Sequence, residues 1–246
     1  MSTILAMPDA PRSPSDNQLL AILPPEELAV LKDALELVDL PVGHLLCEPN
    51  VQMTHVYFLL DSTVALLGST ADGDTAEVAV IGCEGTIGVA LFWGGGSTPM
   101  GAVVQSSGQA YRLPAHIAEE AFSRGGAMQT VLLRYSTALL HQVAMTAACN
   151  ARHTLDQQLC RWLLLSHDRL RNDQLMMPSA QLCNSRGVWH QLVRDAIREL
   201  QTQGLIEYHR GHITVTDRAS LEARSCGCYD VIKGEYDRLV PVQAAG

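Results

Sequence analysis

The chain has 246 residues, 47% of them hydrophobic, and a formal net charge of −9. That is ample material for one large or two medium domains with real cores. No apolar run reaches the 18 or so residues a membrane span needs, and seven scattered cysteines (47, 83, 149, 160, 183, 226 and 228) point to reduced thiols rather than a disulfide framework.

The charge is unevenly divided. Residues 1–149 carry five Lys and Arg against fifteen Asp and Glu, whereas residues 150–246 carry twelve against eleven and five of the nine histidines. An acidic first half and a near-neutral second half with local cations fit a two-part regulator. Weak overall basicity argues against strong non-specific DNA binding, not against a specific site.

Residues 1–16, with Pro8, Pro11 and Pro14 among Ser and Asp, lack a cationic start and an apolar run. They read as a disordered tail rather than a secretory segment. Asn17 to Leu40 is expected to be helical at both ends. Its second piece, Pro25–Val38, has Pro, Glu26 and Glu27 in the first turn, as a helix N-terminus prefers. From Pro41 to Leu113 the period changes to two. His55–Leu60, Thr63–Leu67, Glu77–Ile81, Ala102–Gln105 and Ala110–Leu113 read as strands, with turns at Asp61-Ser62, Asp72-Gly73 and Ser107-Gly108. Short strands at regular spacing predict a small all-β barrel or roll. Lys and Arg are absent between Lys32 and Arg112.

Pro114–Ser123 is predicted as a short helix and Gly125–Ala151 as one long helix, with Arg134 its only charge. Met128, Leu132, Tyr135 and Leu139 approximate a 3.5-residue seam, while Leu133, Leu140, Ala144 and Ala147 lie elsewhere round the helix. A helix apolar on most sides must be covered on most sides, so a two-fold dimer through that seam is expected; the alternative is one buried helix in a monomer. Asn150–His153 is a candidate hinge. Thr154 and Gln157 match a capping box that opens a helix Leu155–Arg171. A weak helix is expected over Met177–Gly187, with Pro178 able to serve only at its beginning.

From about Trp189 to Gln203 the pattern is amphipathic. Leu192, Val193, Ala196, Ile197 and Leu200 share one face, and His190, Gln191, Arg194, Asp195 and Arg198 the other. Gly204 stops the helix, and strands Leu205–His209 and His212–Thr216 form a wing turning at Arg210-Gly211. Such a helix suits the DNA major groove and such a wing the phosphates; the bland reading is a surface helix and hairpin without a partner. Asp217 or Thr216 can cap a helix Arg218–Arg224, and a last helix covers about Asp230–Leu239.

The order of short helix, β-roll, long helix, hinge and winged helix-turn-helix resembles the Crp–Fnr family of bacterial transcription regulators, from about Leu19 to Leu239. The resemblance is carried by VYFLLDSTVALLG, GCEGTIGVALFWGGGSTP, CNARHTLDQQLCRWLLLSHDRL and QGLIEYHRGHITVTDRASLEARSCGCY. It implies an α+β chain: a tail (1–16), a cyclic-nucleotide-binding-like double-stranded β-roll (17–124), a dimerisation helix and hinge (125–152) and a winged helix-turn-helix domain (153–246). It further implies a cytoplasmic homodimer, without membrane attachment, on a two-fold operator in double-stranded DNA. RNA polymerase and an unknown small-molecule effector are further partners it allows. Carried over by position, base reading falls to His190, Gln191 and Arg194, and phosphate contact to Arg198 and Arg210, with His212 beside them on the wing. Gln181, Ser185 and Arg186 stand where apolar residues usually pack in the leading helix, and Trp189 replaces a small polar residue. The weak Met177–Arg186 helix and the negative charge motivate an alternative, a dimeric ligand-binding or interaction protein whose winged module no longer grips DNA.

Relatives that bind cyclic nucleotides use a Gly-Glu stretch for the ribose and an Arg for the cyclic phosphate. Here Glu84, Gly85 and Gly88 remain as the effector pocket, but the Arg position reads Pro99-Met100-Gly101. A buried phosphate without a cation is unfavourable, so cyclic AMP is not the expected effector. Gly94-Gly95-Gly96 offers an anion nest or, more ordinarily, a loop turn. No cofactor and no metal ligands are expected: the spacing of Cys226 and Cys228 is too close for a Cys-x-x-Cys site, and His141 reads as a core histidine rather than a ligand. Catalytic constellations are absent, so the chain is not expected to be an enzyme.

Overall fold

The computed structural model describes residues 12–170, 174–176 and 187–241; for residues 174, 176 and 187–190 the description is of the backbone. Residues 1–11 and the expected helix at 177–186 lie outside it. The last part of the predicted tail is ordered. Pro14–Asp16 forms a 3-10 turn under a Ser13 capping box, Arg12 pairs with Asp61, and the Tyr111 hydroxyl donates to the Arg12 carbonyl at 3.0 Å.

Helix α1 (Gln18–Ala21) is capped by Asn17, whose buried amide also donates to the carbonyls of Leu59 and Gly85 at 2.9 and 2.8 Å. Helix α2 is Pro25–Lys32, shorter than expected, because Glu36–Leu40 is strand β1 rather than the end of a helix. The apolar spacing that suggested a helix through Val38 serves a strand there: Val38 pairs with Ala110 in the roll. Two antiparallel four-stranded sheets follow. One runs β1-β8-β3-β6, with β8 Gly108–Pro114, β3 His55–Leu59 and β6 Thr86–Ile87. The other runs β2-β7-β4-β5, with β2 Leu45–Cys47, β7 Gly101–Ser106, β4 Thr63–Ser69 and β5 Thr75–Ile81. Phe58, Leu59, Val64, Ile81 and Leu113 fill the space between them.

Helix α3 (Ala115–Ser123) leads into α4 (Gly126–Arg152). The start of α4 is capped from a distance: the Glu27 carboxylate accepts from the Ala127 and Met128 N–H groups, both at 2.9 Å. An anion on the orphan donors of a helix start is favourable, and these two bonds hold the Glu27 carboxyl below its ordinary pKa. Met128, Leu132, Tyr135 and Leu139, expected at a dimer seam, are all buried in the chain's own core. The roll required a lid, and an apolar stripe of that spacing fits a roll as well as a partner helix. The stripe left outside is Leu133, Thr137, Leu140, Ala144 and Ala147, which alternates steps of four and three; Leu133 is 46% and Leu140 58% exposed.

Helix α5 (Leu155–Asp168) starts at the predicted capping box of Thr154 and Gln157. Strand β9 (Gln174–Met176), helix α6 (Gly187–Thr202), strands β10 (Ile206–His209) and β11 (His212–Val215), α7 (Arg218–Arg224) and α8 (Cys228–Leu239) complete the chain. The wing has three strands rather than two, in the order β10-β11-β9. The hydrophobic core is continuous from the roll through α4 into α5, α6 and the wing, so the hinge at residues 150–153 is not a gap between separately packed halves.

Candidate nucleic-acid interface and sensor site

Helix α6 buries Val193, Ile197 and Leu200, at steps of four and three. Leu192 was expected among them but is 48% exposed; at about 100° per residue it lies well round the helix from the centre of that stripe. Gln191, Arg194 and Arg198 are exposed on the opposite side. Asp195 sits between two of them, accepting from Gln191 at 2.8 Å and from Arg198 at 3.0 Å. His190 lies on the α6 backbone, and its side chain is outside the described residues.

The wing turn is tight. His209 and His212 pair across it, and both residues between them are left-handed, Arg210 with φ 50° and Gly211 with φ 90°. Two left-handed residues make the turn that matches strand twist. Only the glycine was anticipated in that conformation. Arg210 and His212 are exposed at the tip.

In the roll, the three residues of the expected effector pocket have different surroundings. Gly85 is a packing glycine: a Cβ there would fall 2.6 Å from the Tyr135 hydroxyl and 2.8 Å from Ile81. Gly88 has φ 118°, a conformation that favours glycine. Glu84 is 8% exposed, and its carboxylate accepts from the Gly82 N–H at 3.2 and 3.1 Å and from Nε of Arg169 at 2.6 Å. The roll's own sequence offers Glu84 no cation; the fold brings one from the end of α5.

Arg169 is 4% exposed. It also donates to the Leu165 carbonyl at 2.7 Å and to Gln142 Oε1 at 3.0 Å. The Tyr236 hydroxyl of α8 donates to the same Gln142 oxygen at 2.9 Å, and its ring lies 5.2 Å from the Arg169 guanidinium carbon. Burial opposes the charge on Arg169, yet Glu84 and Tyr236 more than offset it and raise its pKa. Nearby, Glu77 of β5 accepts from the Trp162 indole at 2.9 Å and from Gln105 at 2.6 Å. Burial pushes Glu77 up to about 7 against those two donors.

A family model of the cyclic nucleotide-binding domain matches residues 37–124, and one of the Crp-like helix-turn-helix domain matches residues 157–224. The chain belongs to the Crp–Fnr family. Solved structures agree on the fold. A Crp/Fnr-family protein from Eubacterium rectale superposes with a TM-score of 0.62 at 14% identity, over 83% of this chain and 96% of that one. FixK2 from Bradyrhizobium japonicum gives 0.61 at 15%, over 78% and 98%. A CRP-family transcriptional regulator from Thermus thermophilus gives 0.60 at 16%, over 76% and 96%. No curated protein matches the chain at a significant level. Among the described residues, no helix of this Crp–Fnr regulator is long and apolar enough to cross a membrane.

Sequence reasoning missed Arg169 as the partner of Glu84, because 85 residues separate them. His141, expected to be a core histidine, is exposed, with Nδ1 2.8 Å from Glu235 of α8. Cys226 and Cys228 are not isolated either: they meet Cys149 and His153 at the hinge.

Proposed function

We propose that this Crp–Fnr transcription regulator works as a homodimer on a two-fold operator, reading bases with α6 and holding phosphates with α6 and the wing. The observation that carries the reading is the division of α6. Val193, Ile197 and Leu200 anchor one side in the core, while Gln191, Arg194 and Arg198 are exposed on the other, the first and last bonded to Asp195, beside an exposed Arg210 at the wing tip. Arg194 suits a guanine edge and Gln191 an adenine edge; Arg198, Arg210 and His212 suit the backbone. His190 belongs to the reading by its place in the first turns of α6. The dimer would form through Leu133, Thr137, Leu140, Ala144 and Ala147 rather than through the buried seam. On this reading the protein acts in the cytoplasm, with RNA polymerase as the partner a DNA-bound regulator would address, and it catalyses no reaction.

The effector is not cyclic AMP of the usual kind. The carboxylate that would meet a ribose is held by Arg169, and Lys and Arg are absent between residues 32 and 112 for the phosphate. An effector, if used, would occupy the region of Glu84, Gly85 and Gly88.

Selection of duplexes from random DNA by the purified full chain tests the reading. A reproducible palindrome with half-sites about one helical turn apart supports it. Retention of no sequence even at low salt would favour the alternative, a dimer whose winged module has lost DNA, for which the engagement of Gln191 and Arg198 by Asp195 is the motivating contact. Calorimetric titration with cyclic AMP tests the effector statement separately; micromolar affinity would overturn it.

A further inference from the structure

Four ligand-type side chains from two distant stretches converge at the hinge. Cys149 lies in the last turn of α4, and His153 is the C-cap residue directly after it, its N–H bonded to the Cys149 carbonyl at 2.9 Å. A four-residue step on a helix puts both on one side. Cys226 lies in the link between α7 and α8, and Cys228, beyond the N-cap Gly227, is the first residue of α8. The Cys149 and Cys226 sulfurs are 3.5 Å apart, and the Cys228 sulfur is 3.6 Å from Nδ1 of His153. One donor atom from each of the four lies within 4.8 Å of all the others.

All three cysteines are buried and His153 half-buried. The three cysteines form a small buried cluster of their own, and the partly buried Met145 packs against both it and the main core. A disulfide needs sulfurs about 2.05 Å apart, and these thiols are free. Tetrahedral zinc, with bonds of about 2.3 Å to sulfur and 2.0–2.1 Å to nitrogen, needs donor atoms roughly 3.3–3.8 Å apart. The two measured separations are of that size. The neighbouring charge is also of the right sign. The Arg161 guanidinium, buried on α5 with an Nε that finds no hydrogen-bond partner among the described residues, acts electrostatically on Cys149. A cluster of three thiolates, one imidazole and a divalent ion carries one net negative charge, which a buried guanidinium complements.

We propose that Cys149, His153, Cys226 and Cys228 form a structural zinc site that ties the hinge end of α4 to the segment between α7 and α8. Binding replaces three S–H protons with metal–sulfur bonds and releases those protons to solvent; no electron is transferred. Four protein donors leave no open position, so the site is structural rather than catalytic. It also fixes where the last helix leaves the winged half.

The test is metal analysis of the full chain, purified under reducing conditions without chelator. The expected result is about one zinc per chain, without iron or acid-labile sulfide. Exchange with cobalt chloride should give the intense visible bands of a tetrahedral site and a thiolate-to-cobalt charge-transfer band. Cys226→Ser and Cys228→Ser should each lower zinc affinity at least tenfold. His153→Ala should keep a cobalt signal with shifted bands, and Cys47→Ser, on β2, should change nothing. Wild-type protein that neither contains zinc nor gives a tetrahedral cobalt spectrum would overturn the proposal. So would iron with sulfide, or a Cys149–Cys226 disulfide in peptide maps of alkylated lysate. The wild-type measurements decide the matter even if a variant fails to fold.

Discussion

The indole N–H of Trp162 on α5 donates to the Glu77 carboxylate on β5 at 2.9 Å, across the boundary between the roll and the winged half. The carboxyl is pushed up to about 7 by burial, from an ordinary 4.5. Between those values the folded chain holds a proton that the unfolded chain has released, so this group's contribution to stability is complete below about 4.5 and is lost as pH rises through about 7. Glu77→Gln should therefore flatten the decline in Tm between about pH 5 and pH 8, by an amount on the order of 1–3 kcal/mol. Calorimetry of both proteins across that range checks it; parallel curves would mean that Glu77 ionises normally.

The buried pair of Glu84 and Arg169 should behave as a unit. Arg169→Met leaves a desolvated carboxylate and should destabilise by roughly 3–5 kcal/mol, and adding Glu84→Gln should restore a large part of that loss. Chemical denaturation of the two singles and the double gives the coupling; additive losses would show that the pair is not coupled.

The two stripes on α4 predict opposite phenotypes. Leu140→Glu on the outer stripe should convert a dimer to a monomer in light scattering with little change in folding. Leu132→Ala on the inner stripe should cost about 2–5 kcal/mol of stability and leave the subunit count alone.

Arg194 and Arg210 should separate reading from holding. Arg194→Ala should weaken operator binding by about 1–3 kcal/mol and relax preference at one base pair. Arg210→Ala should weaken all duplexes alike and reduce the salt slope by about one. Fluorescence anisotropy at several salt concentrations distinguishes them.

The period of the apolar residues made most of the architecture legible. The roll strands from His55 to Leu113, the capping box at Thr154 and Gln157, helix α7 and, Leu192 apart, the split of α6 are local signals, and the structure contains each. Where two elements use the same spacing, local signals ran out. Val38 at a helical interval is a strand residue, and an α4 stripe suited to a partner helix closes the roll instead. The contacts that join the halves were illegible for another reason. Arg169 with Glu84, and Cys149 with Cys226, are 85 and 77 residues apart, and only the fold makes them neighbours.

Helix α4 is gripped at both extremities. Its first turn hangs on the Glu27 carboxylate of α2, and its last turn holds Cys149 of the hinge cluster. Its 27 residues span roughly 40 Å. With zinc bound as proposed, a rod clamped in this way would resist sliding or twisting at one extremity alone, and a disturbance of the short helices beside the roll would be carried to the root of the winged half.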